Sequence, residues 1–353
     1  MSKNGQTVAA FEREFASYVG AKYAIALCNG TATLHTALVA IGVRHGDRVA
    51  VPPLTMSSTT IAVLHASAVP VFCDVNPDTW LFGSGAKNIH AVIVVSLYGL
   101  NFPADENGVA LIDDAAQTLR KHSGCAFTSY SFQASKILST GEGGMLVTND
   151  EALATRAREF SSLGYRMRAD QPRIDPDALK SPTFDRHYSL GWNYRMNDVT
   201  AAAGSQELRR FDAPTPYGEW CFADRHLRRR CEAASLYREA ITGCGWLTSQ
   251  HVPEGWTNDY WTFAVACDTP QRAVSLSDAI VKHGGERPYP AWKLTYHEPA
   301  FRHLVSPYRF DGHGPCPVAE SLQPRLLQFQ TNNLQSAERN AQALRRAIEE
   351  LSR

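Results

Sequence analysis

Four short segments carry residue types that could act together on one small electrophile. In residues 129–144 a single lysine, Lys136, stands between a Ser-Phe pair and a Gly-Glu-Gly-Gly turn, and a β-prone run follows at 145–148. A lysine on a tight loop between buried strands loses solvation, which disfavours the ammonium and lowers its pKa. The neutral amine that results can condense with an aldehyde.

The second segment is Cys28-Asn29-Gly30-Thr31, between a β-like run at 23–27 and a helical run ending near Gly42. A Gly-Thr turn at a helix start offers backbone N–H groups, a hydroxyl and the positive end of the helix dipole, a site suited to a phosphate. The plainer alternative is an N-capped helix with Thr31 as the cap. In the third segment an apolar strand ends in Asp113 and Asp114, with Gln117 close behind. One carboxylate there could pair with a protonated ring nitrogen, and we assign this to Asp114. Asp113 is expected to cap a helix or serve structure. Gln117, one helical turn on, would reach the ring's phenolic oxygen. The fourth segment is Asn193-Tyr194-Arg195-Met196-Asn197-Asp198, before an Ala-rich helix at 199–208 that Asn197 or Asp198 would cap. An amine, a phosphate cradle and a ring-nitrogen acid are the parts of a pyridoxal 5′-phosphate site.

Taken together and in this order, the segments resemble the sugar aminotransferase family named after DegT and StrS. The likeness runs from about Phe11 onward and includes Gly46-Asp47-Arg48-Val49-Ala50-Val51-Pro52-Pro53 and Tyr98-Gly99. The resemblance implies a fold-type I enzyme that moves an amino group, from glutamate, to a nucleotide-linked keto sugar. It makes Lys136 the Schiff-base lysine and Asp114 the pyridinium partner, with Gln117 beside the ring. It makes Gly30, Thr31 and Ser131 phosphate contacts, and Asn193 a contact to the cofactor phosphate of a neighbouring subunit. The active form it implies is a homodimer with shared sites. Met56 stands where the family places an aromatic ring on the cofactor face; its thioether could pack there, or it could be a core methionine at a helix start. Gln133 stands where many members carry histidine. The segments 101–110 and 117–129 are trimmed, and 213–222 reads as an insertion. Arg287, Tyr289, Lys293 and His297 are candidate substrate contacts, with surface or hinge duty as the alternative. A keto-sugar dehydratase and a non-catalytic cofactor-binding protein are the rival functions; the lysine at 136 favours amino transfer over dehydration.

The rest of the chain must position these groups. Its 353 residues, 44% of them hydrophobic, suffice for a large and a small domain. Apolar runs at 23–27, 49–51, 69–72, 91–95 and 110–112 alternate with helical stretches, which predicts an α/β domain over 1–222 with a mostly parallel sheet; the family resemblance implies that the sheet is of the seven-stranded type. A helix at 223–242, a strand at 260–266, a helix at 276–283 and an amphipathic helix at 337–351 predict a smaller α+β C-terminal domain over 223–353. Residues 169–188 read as a loop. The 35 basic and 35 acidic residues balance, which predicts no nucleic-acid or membrane partner. The basic run at 225–230 reads as a solvated helix face. Eight cysteines without a C-x-x-C pair and twelve histidines without H-E-x-x-H give no metal site, and several cysteines read as small hydrophobes. The absence of a signal or membrane-spanning segment predicts a cytoplasmic location.

Overall fold

Period-two burial decides the large sheet. In the run Tyr23–Leu27, strand β1, Ala24 and Ala26 face one apolar cluster while Ile25 and Leu27 face another. In Gly144–Thr148, strand β7, Met145 and Val147 join the first cluster and Leu146 the second. A sheet loaded on both faces needs cover on both sides, so its strands read as near-continuous apolar runs. The computed structural model describes residues 6–83, 87–103, 109–119, 124–170, 177–212, 222–302 and 316–353. The trimmed connections at 104–108 and 120–123, most of the expected insertion at 213–222, His303 and Cys221 lie outside them.

Between β1 and β7 in sequence come β2 (Arg48–Val51), β3 (Val69–Phe72), β4 (Ala91–Val95), β5 (Ala110–Asp114) and β6 (Phe127–Ser131). The seven strands lie in the order β1-β7-β6-β5-β4-β2-β3. The block from β6 to β3 is parallel, and β7 runs antiparallel to both of its neighbours. The fold is thus α/β with a mostly parallel sheet. Helix α1 (Gln6–Val19) covers one face with Phe11 and Phe15. Helices α2 (Gly30–Ala40), α3 (Ser58–His65) and α4 (Glu151–Ser161) cover the other. Arg158 on α4 donates at 3.0 and 2.9 Å to both carboxylate oxygens of Glu12 on α1, and the Ala26 amide donates to Glu12 at 2.8 Å. This buried pair fastens both helices to β1. Helix α5 (Asp198–Asp212) packs on α1, and Asn197 caps it by accepting from the Thr200 amide at 2.9 Å.

After α6 (Phe222–Ile241) comes an antiparallel sheet of β8 (Leu247–Ser249), β9 (Thr262–Cys267), β10 (Tyr289–Pro290) and β11 (Leu326–Gln330), in the order β10-β11-β9-β8. Helices α7 (Pro270–Lys282) and α10 (Leu334–Leu351) join α6 on the face that carries Phe263, Val265 and Phe329. The shorter helices α8 (Pro299–Arg302) and α9 (Pro317–Leu322) lie between β10 and β11 in sequence. The opposite face of β9, through Ala264 and Ala266, shares a cluster with Leu97, Tyr98 and Leu100 from the segment after β4. That cluster brings the second sheet against the carboxyl ends of the first, where ligands of such sheets bind.

Three expectations change. Asp113 and Asp114 end strand β5 as expected, paired with Val94 and Val95, but a turn follows them rather than the helix expected to carry Gln117. Asp113 accepts from the Ser96 hydroxyl at 3.1 Å, a structural role and not a helix cap. The strand expected from Tyr260 starts at Thr262, because Tyr260 adopts φ 48°, a left-handed conformation that ends a strand. Arg230, expected on a solvated face, is buried.

Candidate active site

Strand β5 ends at a buried acid, and the turn joining β6 to β7 brings an amine toward it. The turn is closed by Phe132 N–H to Gly143 O and Thr140 N–H to Phe132 O, each 2.9 Å. Within it, Lys136 N–H donates to the Gln133 carbonyl at 2.8 Å. The Gln133 side-chain oxygen accepts from the Ser135 amide at 2.8 Å and its hydroxyl at 2.7 Å. Gln133 is therefore the internal brace of the lysine turn.

Asp114 and Lys136 shift toward their neutral forms. Burial raises the Asp114 carboxyl, against the Thr59 hydroxyl, the Lys136 charge and the Ala116 amide. Burial lowers the Lys136 ammonium, against the Asp114 charge. The Thr59 hydroxyl donates to Asp114 Oδ2 at 2.8 Å, and the Ala116 amide to Oδ1 at 3.2 Å. Gln117 accepts from the Tyr98 amide at 2.6 Å, so its own amide nitrogen is the group left to offer the cavity. Tyr98 reaches that position with φ 62°, in the left-handed region.

Helix α2 begins beside the lysine turn. Its cap is Asn29, whose side-chain oxygen accepts from the Ala32 amide at 2.8 Å, and not Thr31. Gly30 and Thr31 thus occupy the first turn, where amides have no intrahelical acceptor. The approach of the strands leaves room only for glycine. A Cβ on Gly30 would meet the Ser131 Cβ at 2.9 Å, and one on Gly144 would meet the Asn29 carbonyl at 2.8 Å.

Gly30, Thr31, Met56, Asp114, Gln117, Ser131 and Lys136 all line one cavity of about 420 Å³. Met56 is 50% exposed and stands before α3, so it is not a core residue. Asn193 is exposed and does not line the cavity. Nor do Arg287, Tyr289, Lys293 or His297; Arg287 is bound to Asp278 at 2.7 Å and Ser277 at 3.0 Å. Sequence reasoning missed Ser135, Glu142, Trp261 and Trp292 on the cavity wall, and Thr59 behind Asp114. The two tryptophans come from the second half of the chain and had no local pattern to mark them. Thr59 lies three residues after Met56 in a segment already singled out, so helix spacing could have found it.

A family model for DegT/DnrJ/EryC1/StrS aminotransferases matches residues 1–343. The chain belongs to this family. This family member is 33% identical over 293 residues to GDP-perosamine synthase of Caulobacter vibrioides, covering 75% of this chain and 70% of that one. It is 35% identical over 323 residues to the putative pyridoxal phosphate-dependent aminotransferase EpsN of Bacillus subtilis, covering 84% and 76%. The solved aminotransferase TlmJ from Streptoalloteichus hindustanus superposes with a TM-score of 0.78 at 25% identity, over 99% of this chain and 92% of that one. The aminotransferase described here has a cavity that fits pyridoxal phosphate by its chemistry: a desolvated amine, a buried carboxyl, a side-chain amide and a helix N-terminus pressed against Ser131.

Proposed function

We propose that this aminotransferase binds pyridoxal phosphate and moves an amino group from glutamate to the ketone of a nucleotide-linked sugar. The observation that carries the reading is the pairing of Lys136 and Asp114 in one cavity, each biased by burial toward its neutral form. The bound cofactor supplies an electron sink for a carbon that loses its proton. Gly30, Thr31 and Ser131 would hold its phosphate, Gln117 would offer its amide to the phenolic oxygen, and Met56 would pack on its ring. Asp114 would keep the ring nitrogen protonated, and Thr59 and the Ala116 amide hold Asp114 in place. Lys136 Nζ would be the group that holds the cofactor's aldehyde and, when free, would move the proton at the donor's α-carbon. A nucleotide-linked acceptor is supported by the likeness to GDP-perosamine synthase.

The same reading makes the active form a homodimer in which Asn193 reaches the partner's cofactor phosphate. Its support is the exposed apolar stretch around Asn193, where Leu190 is 97%, Val199 81% and Trp192 55% exposed. Sedimentation of the purified protein reads the assembly; a monomer at micromolar concentration counts against it. The activity is tested by recording the absorbance spectrum with pyridoxal phosphate and then adding glutamate. A visible-edge band that moves to the shorter-wavelength pyridoxamine form supports the reading, and a protein that never takes up the cofactor overturns it.

A further inference from the structure

One side chain from the second half of the chain reaches the reactive amine. Trp261 presents its ring to Lys136, with Nζ 4.7 Å from the ring centre. Its indole N–H donates to the carbonyl of Ser135, the residue before the lysine, at 2.8 Å. Its own carbonyl accepts from buried Arg230 at 3.1 Å and from the Thr331 hydroxyl at 3.1 Å. Trp292 stacks against it, centroids 6.1 Å apart.

The segment before it is bound just as firmly. The Asn101 amide donates to Thr257 O at 3.0 Å, and the Asp259 amide to Gly99 O at 2.8 Å. Asp259, fully buried, accepts from the Thr118 hydroxyl at 2.5 Å and the Leu119 amide at 3.0 Å. The strap at 257–261 therefore grips the segment after β4, the segment after β5 and the lysine turn together.

We infer that Trp261 is a positioning residue for Lys136: its N–H fixes the turn, and its ring face seats the amine whenever the amine is not covalently bound. An aromatic face attracts a lysine in its ammonium form, more strongly as water is excluded, so the ring holds Nζ in place until it gives up the proton that imine formation requires. A lysine side chain otherwise explores many rotamers, and holding it near its target removes that search from the barrier. This inference rests on Lys136 being the cofactor lysine.

The test needs no amino donor or acceptor. Cofactor-free protein is mixed with pyridoxal phosphate in a stopped-flow cell; Nζ adds to the aldehyde carbon, water leaves, and the imine absorbance grows. Trp261→Leu, which loses ring and N–H, is expected to slow capture by roughly tenfold. Trp261→Phe, which keeps a ring but not the N–H, falls between Leu and the parent. Melting temperatures are recorded for each, and a Leu variant that fails to fold is replaced by Trp261→Met, read in the same way. Capture by Leu or Met at the parent rate overturns the inference, as does a Phe variant no faster than Leu, which would leave only a structural anchor. A parent that captures no cofactor, or a Lys136→Ala variant that gives the same imine band, refutes the proposed function instead.

Discussion

The Thr59 hydroxyl, on the first turn of α3, donates a 2.8 Å hydrogen bond to Asp114 Oδ2 at the end of β5. The acid of the site is thus aimed by a helix that belongs to a different crossover of the sheet. Thr59→Val keeps the shape and removes the donor. A carboxylate oxygen left without its partner in a buried place costs about 1–3 kcal/mol, to be read by urea unfolding. Because Thr59 also holds the Asp114 carboxyl down, the variant's acid protonates at higher pH, and cofactor affinity falls.

Asp114→Asn removes the charge that favours the Lys136 ammonium. Burial then acts with less opposition, so the Lys136 midpoint moves to lower pH. Acylation of Lys136 in the cofactor-free variant, followed by peptide mass spectrometry across pH, reads this directly; a midpoint that rises contradicts it. Turnover at saturating pyridoxal phosphate is expected to fall about a hundredfold or more.

Gly144→Ala places a methyl group 2.8 Å from the Asn29 carbonyl and 3.0 Å from the Gly30 nitrogen. Both neighbours are backbone, so the loop must move. The expected loss is about 1–3 kcal/mol in unfolding free energy. A weaker hold on pyridoxal phosphate should accompany it, measured by equilibrium titration, since Asn29 and Gly30 open helix α2.

His35, buried on α2, has its pKa lowered from 6.5 to about 4, first by burial and then by His65. Between those values the unfolded chain binds a proton that the folded chain refuses. Stability therefore falls as pH drops through this window, by up to about 1.4 kcal/mol per unit. Urea unfolding at several pH values should give a flatter curve for His35→Gln, with a polar atom kept for the Tyr194 hydroxyl, which lies 3.1 Å from His35 Nδ1. Equal slopes for the two proteins would show that other groups carry the acid sensitivity.

Much of the large sheet was legible because its strands are short apolar runs between turn residues; Tyr23–Leu27, Val69–Phe72 and Ala91–Val95 are the runs read from composition alone. The lysine turn and the helix start at Gly30 were legible as local chemistry. What the sequence concealed was decided by distant contacts. Two successive acids were legible as a strand end, but not which partners hold them: Ser96 satisfies Asp113 and Thr59 satisfies Asp114. Arg230 sits in a basic run that looks solvated, yet its partners lie 31 and 101 residues further along. Trp261 and Trp292 carry no periodic or motif signal, and only the second sheet's packing against the first brings them to the lysine.

The strap at 257–261 sets a rule for biosynthesis. Its last residue is tied through Arg230 to Thr331, at the end of the second sheet. A growing chain can complete its first sheet and lysine turn well before that threonine leaves the ribosome, but the wall beside Lys136 is still missing. Capture of pyridoxal phosphate at the full rate is then expected only of a chain made through Thr331, because the hydrogen bonds that hold Trp261 beside Lys136 end there.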